Sequence, residues 1–293
     1  MKIGEKIKKL RTAKLMTQTD LVGTEITRNM LSQIENGSAN PSLETVCYIA
    51  ARLNVSPGFL LADSEDELIY VKHNEMSGIK KSFMTEDYRI CRDMCLNSDG
   101  IDDDEMRMLL CECSLAIGIE EFSNGHLREC CEFLDEAIDG CSKTIYRTDY
   151  VVAAAGIYFR YLQRISATLS SDIIDENKVN IYPAMTDEFC RYVLMLERFD
   201  GGDIPTEEEI QKIGKQDSPY VLHLIAMRCM GEGDYARAYS CLHSVLLGDV
   251  AVPQPVLYSL FCDLEICCKE TENFKGAYEY SIDKIELLQK LLS

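Results

Sequence analysis

No stretch of this chain approaches the ~20 consecutive apolar residues that a bilayer crossing requires, so a membrane-embedded function is not expected. Long proline- or glycine-rich tracts are missing too. With 46% hydrophobic residues over 293 positions, that argues for folded structure throughout and for more than one small domain. Fourteen cysteines are present, yet no Cys-x-x-Cys pair is. Cys91 and Cys95 lie four apart, Cys111 and Cys113 two apart, and Cys130-Cys131 and Cys267-Cys268 are adjacent, spacings unlike those of zinc modules. Most of these cysteines occupy apolar helical positions as small hydrophobes. Free thiols in a reducing compartment are therefore expected, with redox sensing as the alternative. His126 and Cys130 share a helical face without further ligands, and Glu207, Glu208 and Glu209 after Pro205 read as an acidic first turn favoured by the helix dipole. Nucleotide loops, nucleophile-base sets and metal clusters are absent, so neither an enzyme nor a cofactor is expected. The chain starts with a charged helix instead of a signal peptide, and a cytoplasmic location is expected.

Positive charge is scarce and unevenly placed. The whole chain carries −19, but residues 1–62 hold eight basic and five acidic side chains, a net +3, which leaves −22 for the remainder. A chain this acidic is repelled by nucleic acid as a whole. Any contact with DNA must be confined to the basic N-terminal module.

That module carries the most informative pattern in the sequence. Leu31 and Ile34, three apart, turn inward on a helix, whereas Arg28, Asn29, Ser32 and Gln33 form one polar outward face. Thr27 suits the N-cap of this helix and Gly37 its end, which gives an element long enough to lie across a major groove. Thr17, with Asp20 three residues on, starts a shorter helix before it. Asn40-Pro41 and Ser56-Pro57 each place a capping side chain before a proline at the first helical position. Five short helices fit between Lys2 and Leu61.

This stretch resembles the phage-repressor-like, XRE-type helix-turn-helix domains. The resemblance rests on Ile7, Leu10, Arg11, Thr17, Gln18, Leu21, the run Ile26 to Gly37, Pro41, Leu43, Ile49, Ala50, Leu53 and Val55. The segment between Leu21 and Thr27 is slightly shorter than the family's usual turn. In that family the second helix of the motif reads bases, which nominates Arg28, Asn29, Ser32 and Gln33 here; Gln18 is then a phosphate contact, with Asn36 and Ser38 as loop contacts. The resemblance also implies an internal ion pair between Arg11 and Glu35. The competing reading of the polar face is an ordinary solvated surface. Arginine and amide side chains favour base contact, because they make bidentate pairs with guanine and adenine edges.

The acidic remainder reads as helix after helix, and it repeats. Gly233-Asp234-Tyr235 with Ala238, Leu242 and Val245 recurs as Gly125-His126-Leu127 with Cys130, Leu134 and Ala137, as Asn273-Phe274 with Ala277, and as Asp87-Tyr88 with Cys91. The anchors at 88, 127, 235 and 274 are separated by 39, 108 and 39 residues, and 108 is three times 36. Small residues let paired helices approach closely, and such pairs stack into a solenoid. These units resemble tetratricopeptide repeats. Between 142 and 213 the pattern fades to one helix from Tyr150 to Ala167, a polar loop near Ser170 to Asn180, a helix around Thr186 to Phe199, and a break at Gly201-Gly202-Asp203 with Pro205.

The expected fold is all-α: a helix-turn-helix domain over 1–62, then a tetratricopeptide-like α-solenoid over 66–293. This combination resembles the peptide-responsive quorum-sensing regulators of Gram-positive bacteria, the Rgg, PlcR, NprR and PrgX group. It implies a transcriptional regulator with a double-stranded DNA operator, a homodimeric state and a short peptide ligand held by the first helix of each pair. Tyr150, Arg160, Tyr220, His223 and Met227 are the candidate contacts, against a competing reading as packing or groove residues. A protein-interaction adaptor, tethered to DNA by the N-terminal domain, is the alternative function. The last helix carries Ile282, Ile285, Leu288 and Leu292, a stripe expected to pack on the final repeat and on a second subunit.

Overall fold

The computed structural model describes residues 2–62, 67–98, 103–169 and 187–292. These residues form sixteen α-helices and no strand, in two compact units, 1–102 and 103–293.

In the first unit, α1 (Ile3–Ala13), α2 (Gln18–Val22), α3 (Arg28–Glu35), α4 (Leu43–Leu53) and α5 (Pro57–Leu61) enclose one small core. Ile7, Leu21, Leu31, Ile34, Ile49 and Leu53 are all but fully buried in it. Side-chain caps set the helix starts. Thr17 accepts from the Asp20 amide in a reciprocal capping box, Thr27 accepts from the Met30 amide, and Ser56 accepts from the Phe59 amide with Pro57 at the first helical position. One expected cap is corrected: α4 starts two residues after Pro41, because Ser42 takes the Thr45 amide, and neither Asn40 nor Pro41 caps it. Lys6, almost wholly buried, donates to the carbonyls of Phe59 and Ala62 at 3.2 and 2.7 Å. An ammonium there satisfies the C-terminal end of α5. The helices α6 (Glu67–Met84) and α7 (Tyr88–Leu96) form a hairpin that falls within this unit.

The second unit is built from α8 (Asp104–Asn124), α9 (Leu127–Cys141), α10 (Asp149–Leu169), α11 (Glu188–Asp200), α12 (Glu207–Gln211), α13 (Pro219–Gly231), α14 (Tyr235–Leu247), α15 (Gln254–Glu270) and α16 (Phe274–Leu291). Each repeat anchor begins the second helix of a hairpin: Tyr88 opens α7, Leu127 α9, Tyr235 α14 and Phe274 α16. Glu207 to Glu209 do form an acidic first turn, in which Thr206 and Glu209 make a capping box. The polar loop expected at Ser170 to Asn180 lies outside the described residues.

A plain solenoid contacts only its sequence neighbours; this unit departs from that. The helix α15 packs on α8 and α10 as well as on α14 and α16. The hydroxyl of buried Tyr161 on α10 donates to the Pro255 carbonyl at 3.3 Å, a pairing 94 residues apart. Gly125, between α8 and α9, has φ +85°, and a Cβ there would lie 2.9 Å from Leu291 and 3.0 Å from Gln254. The stripe expected on the last helix is also redistributed. Leu287 and Leu291 turn inward with Leu288 beside them, whereas Ile282, Ile285 and Leu292 face outward in line with Phe274 and Tyr278.

Candidate nucleic-acid interface and second-unit cavity

The outward face of α3 is as the helical spacing requires. Arg28, Asn29 and Gln33 are exposed, Ser32 is half-buried, and Asn36 and Ser38 are exposed in the turn that follows. Behind this face lies a buried ion pair. Arg11 on α1 meets Glu35 in a fork, Nε to Oε1 at 2.7 Å and Nη2 to Oε2 at 3.1 Å, and Nη1 donates to the Met16 carbonyl at 2.8 Å. Burial works against the Glu35 charge, but hydrogen bonds from Arg11 and Gln18 outweigh it and hold the carboxyl below its ordinary range.

The ion pair continues to the surface. Gln18 Nε2 donates to Glu35 Oε2 at 2.8 Å, and Arg28 Nε donates to Gln18 Oε1 at 3.4 Å. The Gln18 amide is thus oriented by a carboxylate on one side and in turn steadies the guanidinium of Arg28. Its side chain is half-buried and already partnered, a position between α2 and α3 that helical spacing alone did not reveal.

The short turn between α2 and α3 is braced from α4. Tyr48 Oη donates to the Val22 carbonyl at 2.9 Å, and Arg52 Nη2 donates to the Asp20 carbonyl at 2.5 Å. Both bonds satisfy acceptors at the end of α2 that have no helical partner. Gly23 ends α2 with φ +53°, and a Cβ there would approach the Tyr48 hydroxyl to 2.3 Å. Only glycine meets both demands. Tyr48 and Arg52 were missed in sequence; their signal is the pair of polar-tipped long side chains four residues apart on α4.

In the second unit, three of the five candidate ligand residues come together. Arg160, His223 and Met227 line a cavity of about 730 Å³ between α10, α11, α13 and α15. Arg164, Asp200 and Asp263 line it as well, although spacing did not single them out. Arg160 Nη1 bonds both Glu197 oxygens at 2.9 and 3.1 Å, and Arg164 makes a fork with Asp200 at 2.8 and 3.3 Å. His223 is buried, its Nε2 2.9 Å from Asp263 Oδ2 and its Nδ1 2.7 Å from the Tyr192 hydroxyl. If the carboxylate accepts from Nε2–H, Nδ1 is left to accept from Tyr192.

Tyr150 and Tyr220 lie elsewhere. Tyr150 donates to Glu112 near the start of α10. Tyr220 packs in an aromatic cluster, its ring centroid 4.9 Å from Tyr192 and 5.7 Å from Phe189, and burial pushes its phenol pKa up. His126 makes a 2.6 Å contact with Glu121, and Cys130 is buried in the core.

Residues 7–60 match the helix-turn-helix family model. The chain carries an XRE-type helix-turn-helix domain at its N-terminus. No curated protein sequence matches the chain. Among solved structures it is similar to PlcR of Bacillus thuringiensis in complex with the peptide PapR7 and DNA, at 15% identity over 99% of this chain and 96% of that one, with a TM-score of 0.23. It is similar to apo ComR from Streptococcus vestibularis, at 18% identity over 89% and 97% and a TM-score of 0.26. A third is ComR from S. thermophilus with DNA and its signalling peptide ComS, at 15% identity over 97% and 99% and a TM-score of 0.26.

Proposed function

We propose that this chain is a sequence-specific DNA-binding transcriptional regulator, homodimeric, whose second unit senses a short signalling peptide. The observation that carries the DNA reading is the exposed polar face of α3, set on a buried ion pair within a helix-turn-helix domain. Arg28, Asn29 and Gln33 meet base edges in the major groove, Ser32 supports them, and Asn36 and Ser38 approach the backbone. Gln18 adds a phosphate contact and fixes Arg28. The test is to sequence DNA recovered with the protein from cells and to measure binding to the recovered site. Equal affinity for that site and for unrelated duplex would overturn this reading.

The peptide reading rests on the cavity. Its volume suits a side chain or a peptide end, its walls are largely apolar, and Arg160 and Arg164 offer a carboxylate two guanidinium groups. Dimerisation rests on the outward stripe of α16: Phe274, Tyr278, Ile282, Ile285 and Leu292 form an apolar seam suited to a second copy. Two copies would present their α3 helices to half-sites about one DNA turn apart. A monomeric mass at micromolar concentration, with and without DNA, would refute the dimer. Co-purification of a protein partner with no response to any host peptide would favour the adaptor function instead.

A further inference from the structure

Most of the cysteines are buried or partly buried within the helical units. One pair differs from the rest in position and surroundings. Cys111, in the middle of α8, is buried, and Cys141, the last residue of α9, is half-exposed. Both belong to the same small apolar cluster with Ala137 and Val151. The Cys111 sulfur sits so close to α9 that a Cβ on neighbouring Gly140 would lie 2.6 Å from it. A glycine at 140 therefore lets the sulfur reach the end of α9. The Cys141 thiol also points to the Thr148 carbonyl, 3.9 Å away, across the loop that follows.

That loop is already tied to α8. Thr144 Oγ1 donates to the Asp104 carbonyl at 2.9 Å, the Ile145 amide donates to Asp104 Oδ1 at 3.0 Å, and Arg107 donates to the Lys143 carbonyl at 2.9 Å. A covalent link between residues 111 and 141 would join two segments that are held together without it. We propose that Cys111 and Cys141 form an oxidisable dithiol, a modification site whose co-substrate is a hydroperoxide. The two sulfurs have distinct roles. Access separates them: Cys141 is half-exposed at the end of α9, where a peroxide can reach it, and Cys111 is buried behind it; the interaction between the two thiols also lowers the Cys141 pKa and raises that of Cys111. Cys141 is thus the attacking sulfur and Cys111 the resolving one.

The chemistry balances in two steps. The Cys141 thiolate attacks one peroxide oxygen, the O–O bond breaks, and the departing alkoxide or hydroxide takes a proton, which leaves a sulfenic acid. The Cys111 sulfur then attacks the Cys141 sulfur, loses its proton, and expels the hydroxyl as water to give the disulfide. Two thiols are oxidised by two electrons in total, and the peroxide is reduced by the same two.

The test is peptide mapping by mass spectrometry of the reduced full-length protein after brief treatment with hydrogen peroxide. A disulfide between Cys111 and Cys141 is expected as the first cross-link, with Cys141 oxidised ahead of exposed Cys47. In Cys111→Ala, oxidation should halt at a dimedone-reactive sulfenic acid on Cys141, since the thiol that resolves it is gone. Cys141→Ser should abolish the cross-link and leave Cys111 unmodified. Oxidation of Cys47 ahead of Cys141, or a first cross-link between any other pair, overturns the proposal from the wild-type map alone, whatever the variants do.

Discussion

The two units treat polar side chains in opposite ways. On α3, Arg28, Asn29 and Gln33 are exposed, and Arg28 is tied to Gln18 of α2 by a 3.4 Å bond at the surface. Around the second-unit cavity the polar groups face one another: Arg160 holds Glu197, Arg164 holds Asp200, and His223 sits between Tyr192 and Asp263. A surface built for nucleic acid can stay open, because water satisfies it until the duplex replaces water. A half-enclosed cavity cannot leave charges unpaired, so a ligand there must exchange partners with the protein itself. Base contacts on α3 should therefore be lost outright on substitution. In the cavity, substitution should change affinity only by the difference between two partners.

The largest effect tests the open surface. Replacing Arg28, Asn29 and Gln33 by alanine should cost roughly 1 to 3 kcal/mol each in operator binding, and each should relax specificity at its own base pair. Equal operator affinity in the triple variant would remove α3 from the interface. Gln18→Ala should weaken binding to all sequences, and the structure adds a second consequence: Arg28 loses its support, so specificity at its base pair should loosen as well.

The next effect concerns the ion pair beneath that surface. Glu35→Ala leaves the Arg11 guanidinium buried without a carboxylate, which should lower the stability of the first unit by about 3 kcal/mol. The same pair sets a pH dependence. A carboxyl whose pKa is lowered in the folded state contributes stability above its unfolded value of 4.5, and that contribution is lost as pH falls through the lower folded value. Thermal unfolding of the full chain between pH 6 and pH 3 should therefore show a loss at the acid end that Glu35→Gln reduces. Identical acid profiles for the two proteins would show that the pair contributes no linkage.

How much of this was legible depended on how local the cause was. Thr17, Thr27 and Ser56 cap as read because the amide that donates to each side chain lies three residues on, and the anchors at 88, 127, 235 and 274 open helices for a similarly local reason. Pro41 misled because Ser42 offers the better side-chain acceptor, and sequence does not rank two adjacent starts. The inner and outer faces of α16 were confused since Ile282, Ile285, Leu287, Leu288 and Leu291 are all apolar, and only the packed neighbour selects among them. Of the long-range partners only Arg11 with Glu35 was anticipated, and through the family resemblance: Tyr161 with Pro255, Tyr48 with Val22 and Tyr192 with His223 join helices whose adjacency periodicity does not encode.

The smallest effect on stability gives the sharpest test of the closed site. The Arg160 and Glu197 side chains are 16% and 42% exposed, so their ion pair lies at the mouth of the cavity and should contribute less than about 1 kcal/mol to folding. Arg160→Ala should therefore fold and melt nearly as the parent does. Tyr220→Ala, by contrast, removes a ring packed at a tilt against Phe189 and Tyr192 and should lower stability whether or not a ligand exists. Calorimetric titration with the host's short secreted peptides separates the two cases. A peptide whose carboxylate replaces Glu197 should lose affinity on Arg160→Ala, and Glu197→Gln should gain it, because the arginine no longer has to leave a charged partner. Such a peptide regulates DNA binding only if it distinguishes the competent from the incompetent arrangement, and a ~100-fold preference supplies about 2.7 kcal/mol. Full affinity retained in Arg160→Ala, with no gain in Glu197→Gln, would place the peptide outside the cavity and leave the paired charges there a purely structural role.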